Sequence, residues 1–155
     1  MKFAVDFHIH SALSPCGDDD MTPNNIVNMA ILKNLDIIAV TDHNSCGNIP
    51  VLMEVARENG IMLIPGMEVQ TKEEVHIVCL FKRLEAAMKF SEIVYNSLPD
   101  IKNNEELFGK QLLFNSKDEI TGKVDKLLLS STVLSVNDVF ILVRGLGGIC
   151  IPAHV

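Results

Sequence analysis

Apolar and polar residues alternate with period two along Phe3-Ala-Val-Asp-Phe-His-Ile-His10, which predicts a strand. Phe3, Val5, Phe7 and Ile9 fall on one face of it; Ala4, Asp6, His8 and His10 fall on the other. The period then lengthens. Thr22-Pro23 marks a helix start, with Thr22 as N-cap and Pro23 at the first helical position, and the helix runs through Ile26, Met29, Ala30 and Lys33. Asp36 to Thr41 reads as a second strand ending in Asp42-His43. Ile49 to Glu58 reads as a second helix that stops at Asn59-Gly60. Ile61 to Ile64 is a third strand, followed by Pro65-Gly66-Met67-Glu68. Strands and helices alternating with short links predict the α/β class, with parallel strands under covering helices.

Glu74 to Phe81 continues as a further strand. The short polar link Lys72-Glu73 permits a hairpin between it and Glu68 to Thr71. Leu84 to Leu98 has helical spacing. Gln111 to Phe114 and Lys126 to Leu129 flank a polar stretch, Asn115 to Asp125, that contains Gly122; a β-hairpin is one reading of this segment. Ser135 to Arg144 is a helix with Ser135 as its N-cap, ended by Gly145, Gly147 and Gly148. Ile149 to His154 is a last strand, after which only Val155 follows. There is no internal repeat, and 155 residues suit one domain spanning 1–155. A strand with a candidate ligand at its final turn should lead into a sealing loop and helix, so the expectation is the N-terminal portion of a longer chain.

Composition narrows the partners. Hydrophobic residues make up 48% against 21% charged, which fits strands buried on both faces. The formal net charge of -7 makes a nucleic-acid-coating surface an unlikely expectation, and bound cations would offset part of it. The first apolar run is too short and polar for a signal peptide, and no membrane-spanning run follows, so no membrane partner is expected. Four cysteines, Cys16, Cys46, Cys79 and Cys150, form no C-x-x-C pair; reduced thiols and a cytoplasmic location follow as the expectation.

The chemistry lies in the histidines. All five, His8, His10, His43, His76 and His154, sit at an edge of an apolar run, where a strand hands over to a loop, and α/β folds build sites at such ends. His-x-His on a strand sets two imidazoles about 6–7 Å apart on one face, near enough to share a cation. Asp6, on that face, is placed to orient a ligand imidazole, and Asp42 beside His43 is a second such carboxylate. Glu68 follows the third strand at the end that carries His10 and His43, where a carboxylate can bridge two cations. A hairpin would return His76 beside it. Asp18, Asp19 and Asp20 follow the His-x-His strand; one of them, or Cys16, is a further candidate ligand. No G-x-S-x-G, Walker loop or G-x-G-x-x-G competes, and Gly145-Leu-Gly-Gly148 precedes a strand, so it is a helix stop.

D-F-H-I-H-S, V-T-D-H-N, P-G-M-E-V, V-H-I-V-C-L and G-G-I-C-I-P-A-H, in that order from Phe3 to His154, resemble the PHP (polymerase and histidinol phosphatase) superfamily of metal-dependent phosphoesterases, its small stand-alone members above all. The resemblance implies a distorted (β/α)7 TIM-like barrel, here incomplete at the C-terminus, and two or three zinc, manganese or iron ions. It implies that His8, His10 and Glu68 hold one ion, that Glu68 bridges to a second held by His76 and His154, and that His43 holds a third with an acidic residue of the 16–18 loop. Relatives read S-D-G in that loop; here Cys16 and Asp18 are both available, and Asp18 is favoured as a hard oxygen donor. The family's final D-x-H lies beyond Val155, leaving at most seven of nine ligands. The implied activity is hydrolysis of a small phosphate ester by a metal-activated water, with His43 and Glu68 as the catalytic pair. The alternatives are a metal-binding scaffold or regulatory domain that does not catalyse, and a nuclease acting on single-stranded ends.

Overall fold

The computed structural model describes residues 1–154. Its elements run β1 (Val5–Ile9), α1 (Pro23–Leu32), β2 (Ile37–Val40), α2 (Ile49–Glu58), β3 (Met62–Leu63), β4 (Gly66–Gln70), β5 (His76–Leu80), α3 (Leu84–Ser97), α4 (Glu105–Phe108), β6 (Leu112–Phe114), β7 (Ile120–Lys123), α5 (Val136–Gly145) and β8 (Ile149–Pro152). The α/β class expected from the alternation holds. No barrel closes among the described residues. The strands form one three-stranded sheet in the order β1-β2-β3, another in the order β4-β5-β8, and the hairpin β6-β7.

β1, β2 and β3 are parallel, as the short β-α-β spacing predicts. Pro65, which has no N–H to donate, separates β3 from β4. The two sheets still meet, because His43 and Glu68 make a parallel bridge in which the Glu68 amide donates to the Asp42 carbonyl at 3.0 Å and the Asn44 amide donates to the Glu68 carbonyl at 2.9 Å. β4 and β5 are antiparallel, with Glu68 opposite Val78 and Gln70 opposite His76; this is the hairpin that the Lys72-Glu73 link permits. β8 then pairs antiparallel with β5.

Two apolar layers flank this wall. Ile38, Val40, Met67, Val69, Ile77 and Cys79 point into the core beneath α1, α2, α3 and α5. Ala39, Val78 and Leu80 point the other way and pack with Phe7 and Ile64. Phe7 therefore does not share a face with Ile9, which packs on the helix side. The expected alternation breaks because the pairing register of β1 shifts between Asp6 and Ile9, and a bulge reverses which face later side chains meet.

Helix ends follow their local chemistry. Thr22 caps α1, its Oγ1 accepting from the Asn25 amide at 3.4 Å, and Ser135 and Asp138 form a reciprocal capping box on α5. Asn48 precedes α2 without capping it, because its amide bridges distant loops: Nδ2 donates to Ser11 Oγ and the Leu112 carbonyl, and Oδ1 accepts from the Phe114 amide.

Residues 99–134 depart from the expected hairpin. Leu112–Phe114 pairs with Ile120–Lys123, so Gly122 lies in a strand and Leu127-Leu128 does not. The leucine run is apolar because it is buried as a loop, not because it is a strand. This segment braces the loops after β1 and β2. The Leu112 amide donates to the Ala12 carbonyl, and Asn44 Nδ2 donates to the carbonyls of Leu128 and Ser130. Asp118, at the hairpin tip, accepts from Thr22 Oγ1 and the Asn24 amide at the N-terminus of α1, where a negative charge meets the positive end of the helix.

Candidate metal centre

Glu68 is fully buried and stands at the centre of all five histidines. Its Oε2 lies 3.1 Å from His8 Nε2, 3.1 Å from His10 Nε2 and 3.5 Å from His43 Nδ1. Its Oε1 lies 3.0 Å from His76 Nδ1 and 3.2 Å from His154 Nε2. The imidazoles close a ring about the carboxylate, with successive centroids 5.2 Å (His8–His10), 4.6 Å (His10–His43), 5.3 Å (His43–His76), 5.7 Å (His76–His154) and 5.3 Å (His154–His8) apart. Strand ends of both sheets supply them: β1 gives His8 and leads into His10, β2 leads into His43, the β4-β5 hairpin gives Glu68 and His76, and β8 leads into His154.

Hydrogen bonding behind His10 fixes its tautomer. The buried Asp42 carboxylate accepts from the Ser11 amide at 2.7 Å, Ser11 Oγ at 2.6 Å and Ser14 Oγ at 2.7 Å. Ser14 has one hydroxyl hydrogen and gives it to Asp42, so it accepts from its other neighbours, the His43 amide and His10 Nδ1, each at 3.0 Å. His10 Nδ1 thus carries the hydrogen and Nε2 presents a bare lone pair. That lone pair faces Glu68 Oε2 at 3.1 Å and His8 Nε2 at 3.2 Å. Ligand atoms about 3.3–3.4 Å apart are what tetrahedral zinc with Zn–N bonds of about 2.0–2.1 Å brings together.

Glu68 Oε2 and His43 Nδ1 are buried and make no hydrogen bond although nitrogens and oxygens crowd them. Buried polar atoms left unpaired are costly, and a cation at the common focus of these lone pairs supplies the missing partner. The residues therefore fit a metal ion. Burial alone raises the Glu68 carboxyl, but the ring of imidazoles about it, His10, His43 and His8 foremost, outweighs burial and holds the group below the usual carboxylate range. Burial lowers His43 to about 4, more than Glu68 can restore, so its imidazole is neutral and able to ligate. Burial pushes Asp42 up, against the three hydrogen bonds from Ser11 and Ser14 that favour its charged form.

Of the residues singled out in the sequence, His8, His10, His43, Glu68, His76 and His154 converge here. Asp42 supports His10 through Ser14. Asp6 does not orient an imidazole: it is exposed, and its Oδ1 accepts from the His8 backbone amide at 3.1 Å. Asp18, favoured as the oxygen ligand, is also exposed and outside the cluster, its Oδ1 capping the Asp20 amide at 2.9 Å. The same loop brings Cys16 Sγ within 4.8 Å of ring nitrogens of both His10 and His43. Cys16 is likewise exposed; partial desolvation raises its thiol, a backbone hydrogen bond opposes this, and the Asp42 and Glu68 charges add smaller upward contributions. Sequence reasoning missed Ser11, Ser14, Asn44 and Asn48. Hydroxyls and amides occur in any loop, and only the buried position of these marks them.

An α/β fold whose strand ends gather five imidazoles round one carboxylate defines a protein equipped to hold metal. The chain belongs to the PHP domain family, whose model matches residues 6–139. Among curated relatives, it is 35% identical over 84 residues to the 5'-3' exoribonuclease Rnm of Salmonella typhimurium, covering 51% of this chain and 28% of that protein. It is 32% identical over 79 residues to a 3',5'-nucleoside bisphosphate phosphatase of Chromobacterium violaceum, covering 49% of this chain and 27% of the relative. The chain thus spans under a third of the length of these relatives. A solved structure from Bifidobacterium adolescentis, described as a metal-dependent phosphoesterase, shares the fold at 20% identity with a TM-score of 0.65, over 99% of this chain and 68% of that one.

Proposed function

We propose that this chain carries the metal centre of a phosphoesterase that hydrolyses a small phosphate ester, with a nucleotide as the preferred carrier of that phosphate. The observation that carries the reading is the buried Glu68 carboxylate set inside a ring of five imidazoles, with His10 Nε2 turned to it. Family membership supports the reaction class, and the Chromobacterium phosphatase supports the substrate class. The finer architecture is a distorted (β/α)7 barrel wall, for which the His43–Glu68 bridge between the two sheets is the support.

His8, His10 and Glu68 Oε2 would hold one divalent ion, and His76, His154 and Glu68 Oε1 a second, matching the division of imidazoles between the two oxygens. His43 stands beside both and would hold a third. When bound, such ions acidify a water and neutralise the oxygens of a phosphate. Glu68, whose two oxygens face different imidazoles, would set the spacing of the two positions. Ser14 holds His10 in the tautomer that ligates. His8, His76 and His154 leave part of their rings open to solvent, with side-chain exposures of 31%, 27% and 67%, so substrate approaches from their side while His43 forms the closed floor.

Net charge argued against nucleic acid, and the exoribonuclease similarity does not support that expectation. Charge summed over a whole surface governs coating of a polyanion; it says little about a pocket that takes one chain end and contributes cations of its own. The test is to load the chain with zinc, manganese or iron and assay nucleoside 3',5'-bisphosphate beside a 5'-phosphorylated RNA oligonucleotide. Turnover of the bisphosphate, abolished together with metal uptake in His8→Ala and His10→Ala, is the expected result. Full activity in either variant sinks the assignment, and cleavage of the oligonucleotide alone moves the substrate to RNA ends.

A further inference from the structure

Cys16 stands where the resemblance calls for a carboxylate, and the loop is built to hold it there. The Gly17 amide donates to the Ser14 carbonyl at 2.8 Å, closing a tight turn with Pro15 and Cys16 at its centre. A Cβ on Gly17 would come within 2.5 Å of the Ser11 carbonyl, and one on Gly109 within 2.6 Å of the Pro15 carbonyl. The turn is therefore closely packed on both sides, against Ser11 and against Gly109. Two of the loop's carboxylates are engaged elsewhere: Asp18 caps the Asp20 amide, and Asp19 pairs with Lys110 at 2.6 Å. Within 4.8 Å of Cys16 Sγ lie ring nitrogens of His10 and of His43; the His43 side chain is only 9% exposed, and its Nδ1, 3.5 Å from Glu68 Oε2, has no hydrogen-bond partner.

We propose that Cys16 is a thiolate ligand which, with His43, makes one position of the centre selective for thiophilic divalent ions (zinc, ferrous iron, cobalt) over manganese and magnesium. The inference rests on the metal-centre reading above and names the donor that sets its preference. Coordination breaks the Sγ–H bond, delivers the proton to solvent and directs the freed sulfur lone pair to the cation, with no change of oxidation state. A soft sulfur donor beside imidazole suits these ions, whereas carboxylate, carbonyl and water suit manganese and magnesium.

The experiment is anaerobic titration of the whole chain with cobalt(II), read by absorption. The wild type is expected to develop visible d–d bands together with a near-ultraviolet thiolate-to-cobalt charge-transfer band. Cys16→Ser is expected to lose the charge-transfer band while keeping d–d bands from the histidine and glutamate positions and an unchanged far-ultraviolet circular dichroism spectrum. Cys16→Asp is expected to bind manganese in competition with zinc better than the wild type does. Cobalt d–d bands with no charge-transfer band in the wild type, or a charge-transfer band that persists in Cys16→Ser, overturns the role of Cys16 and leaves the metal centre standing. No cobalt bound at all overturns the metal centre itself, and the role of Cys16 with it.

Discussion

At the scale of single residues, the centre depends on groups that never touch a substrate. Ser14 passes its only hydrogen to Asp42 and so obliges His10 to donate from Nδ1 and ligate through Nε2. Supports of this kind typically account for 10- to 100-fold in metal affinity. Ser14→Ala is therefore expected to weaken zinc binding by roughly 10- to 100-fold, measured by competition with a chromophoric chelator, with secondary structure intact; unchanged affinity contradicts the relay. His8 and His10 were legible as a candidate pair from their His-x-His spacing, although the register shift in β1 means that their meeting at Glu68 depends on the strand's pairing as well as on period two. Glu68 and His76 were legible from chain order and one short link. Cys16 and Asp18 could not be separated in this way, since a turn's exact course depends on contacts such as Gly17 against Ser11, which hydrophobic patterning does not encode. Ser11, Asn44 and Asn48 were illegible for a related reason: their value comes entirely from burial beside distant loops.

At the scale of elements, the site is assembled from strand ends and held by what packs behind them. Gly17→Ala would force a methyl group to within 2.5 Å of the Ser11 carbonyl, and overpacking of this kind costs about 1–3 kcal/mol. The variant is expected to lower the urea midpoint accordingly and to weaken metal binding, because Ser11, Ser14 and Cys16 share the displaced turn; a variant as stable and as metal-avid as the wild type contradicts the closely packed turn. Away from the site, Ser135→Ala removes the hydroxyl that accepts from the Asp138 amide in the capping box on α5, keeps the Ser135 amide's bond to the Asp138 carboxylate, and is expected to cost about 1 kcal/mol of stability, leaving metal content unchanged by elemental analysis. The β4-β5 hairpin and the helices were readable because their periodicity and caps are local. The face switch in β1 was not, since a register shift is set by the partner strand. β7 was not either: Ile120-Thr-Gly-Lys123 is an exposed strand with little apolar signal, while the buried Leu127-Leu128 run imitates one.

At the scale of the whole molecule, the parallel β1-β2-β3 sheet and the antiparallel β4-β5-β8 sheet join at the His43–Glu68 bridge, so the metal centre also links them. Among the described residues no helix is long and apolar enough to cross a membrane. A ligand that binds only the folded chain stabilises it by about 2.7 kcal/mol at a hundredfold excess over its Kd. Removing metal with a chelator is therefore expected to lower Tm by roughly 5–10 °C for a domain of this size, and a melting curve indifferent to chelator contradicts the coupling of the two sheets through the centre. The central claim is that five imidazoles and one carboxylate converge on metal ions, and the most direct test is the metal-to-protein ratio of the chain, purified without chelators or a histidine tag, by elemental analysis. Two or more equivalents of zinc, manganese or iron are predicted, whereas a ratio near zero would contradict the account.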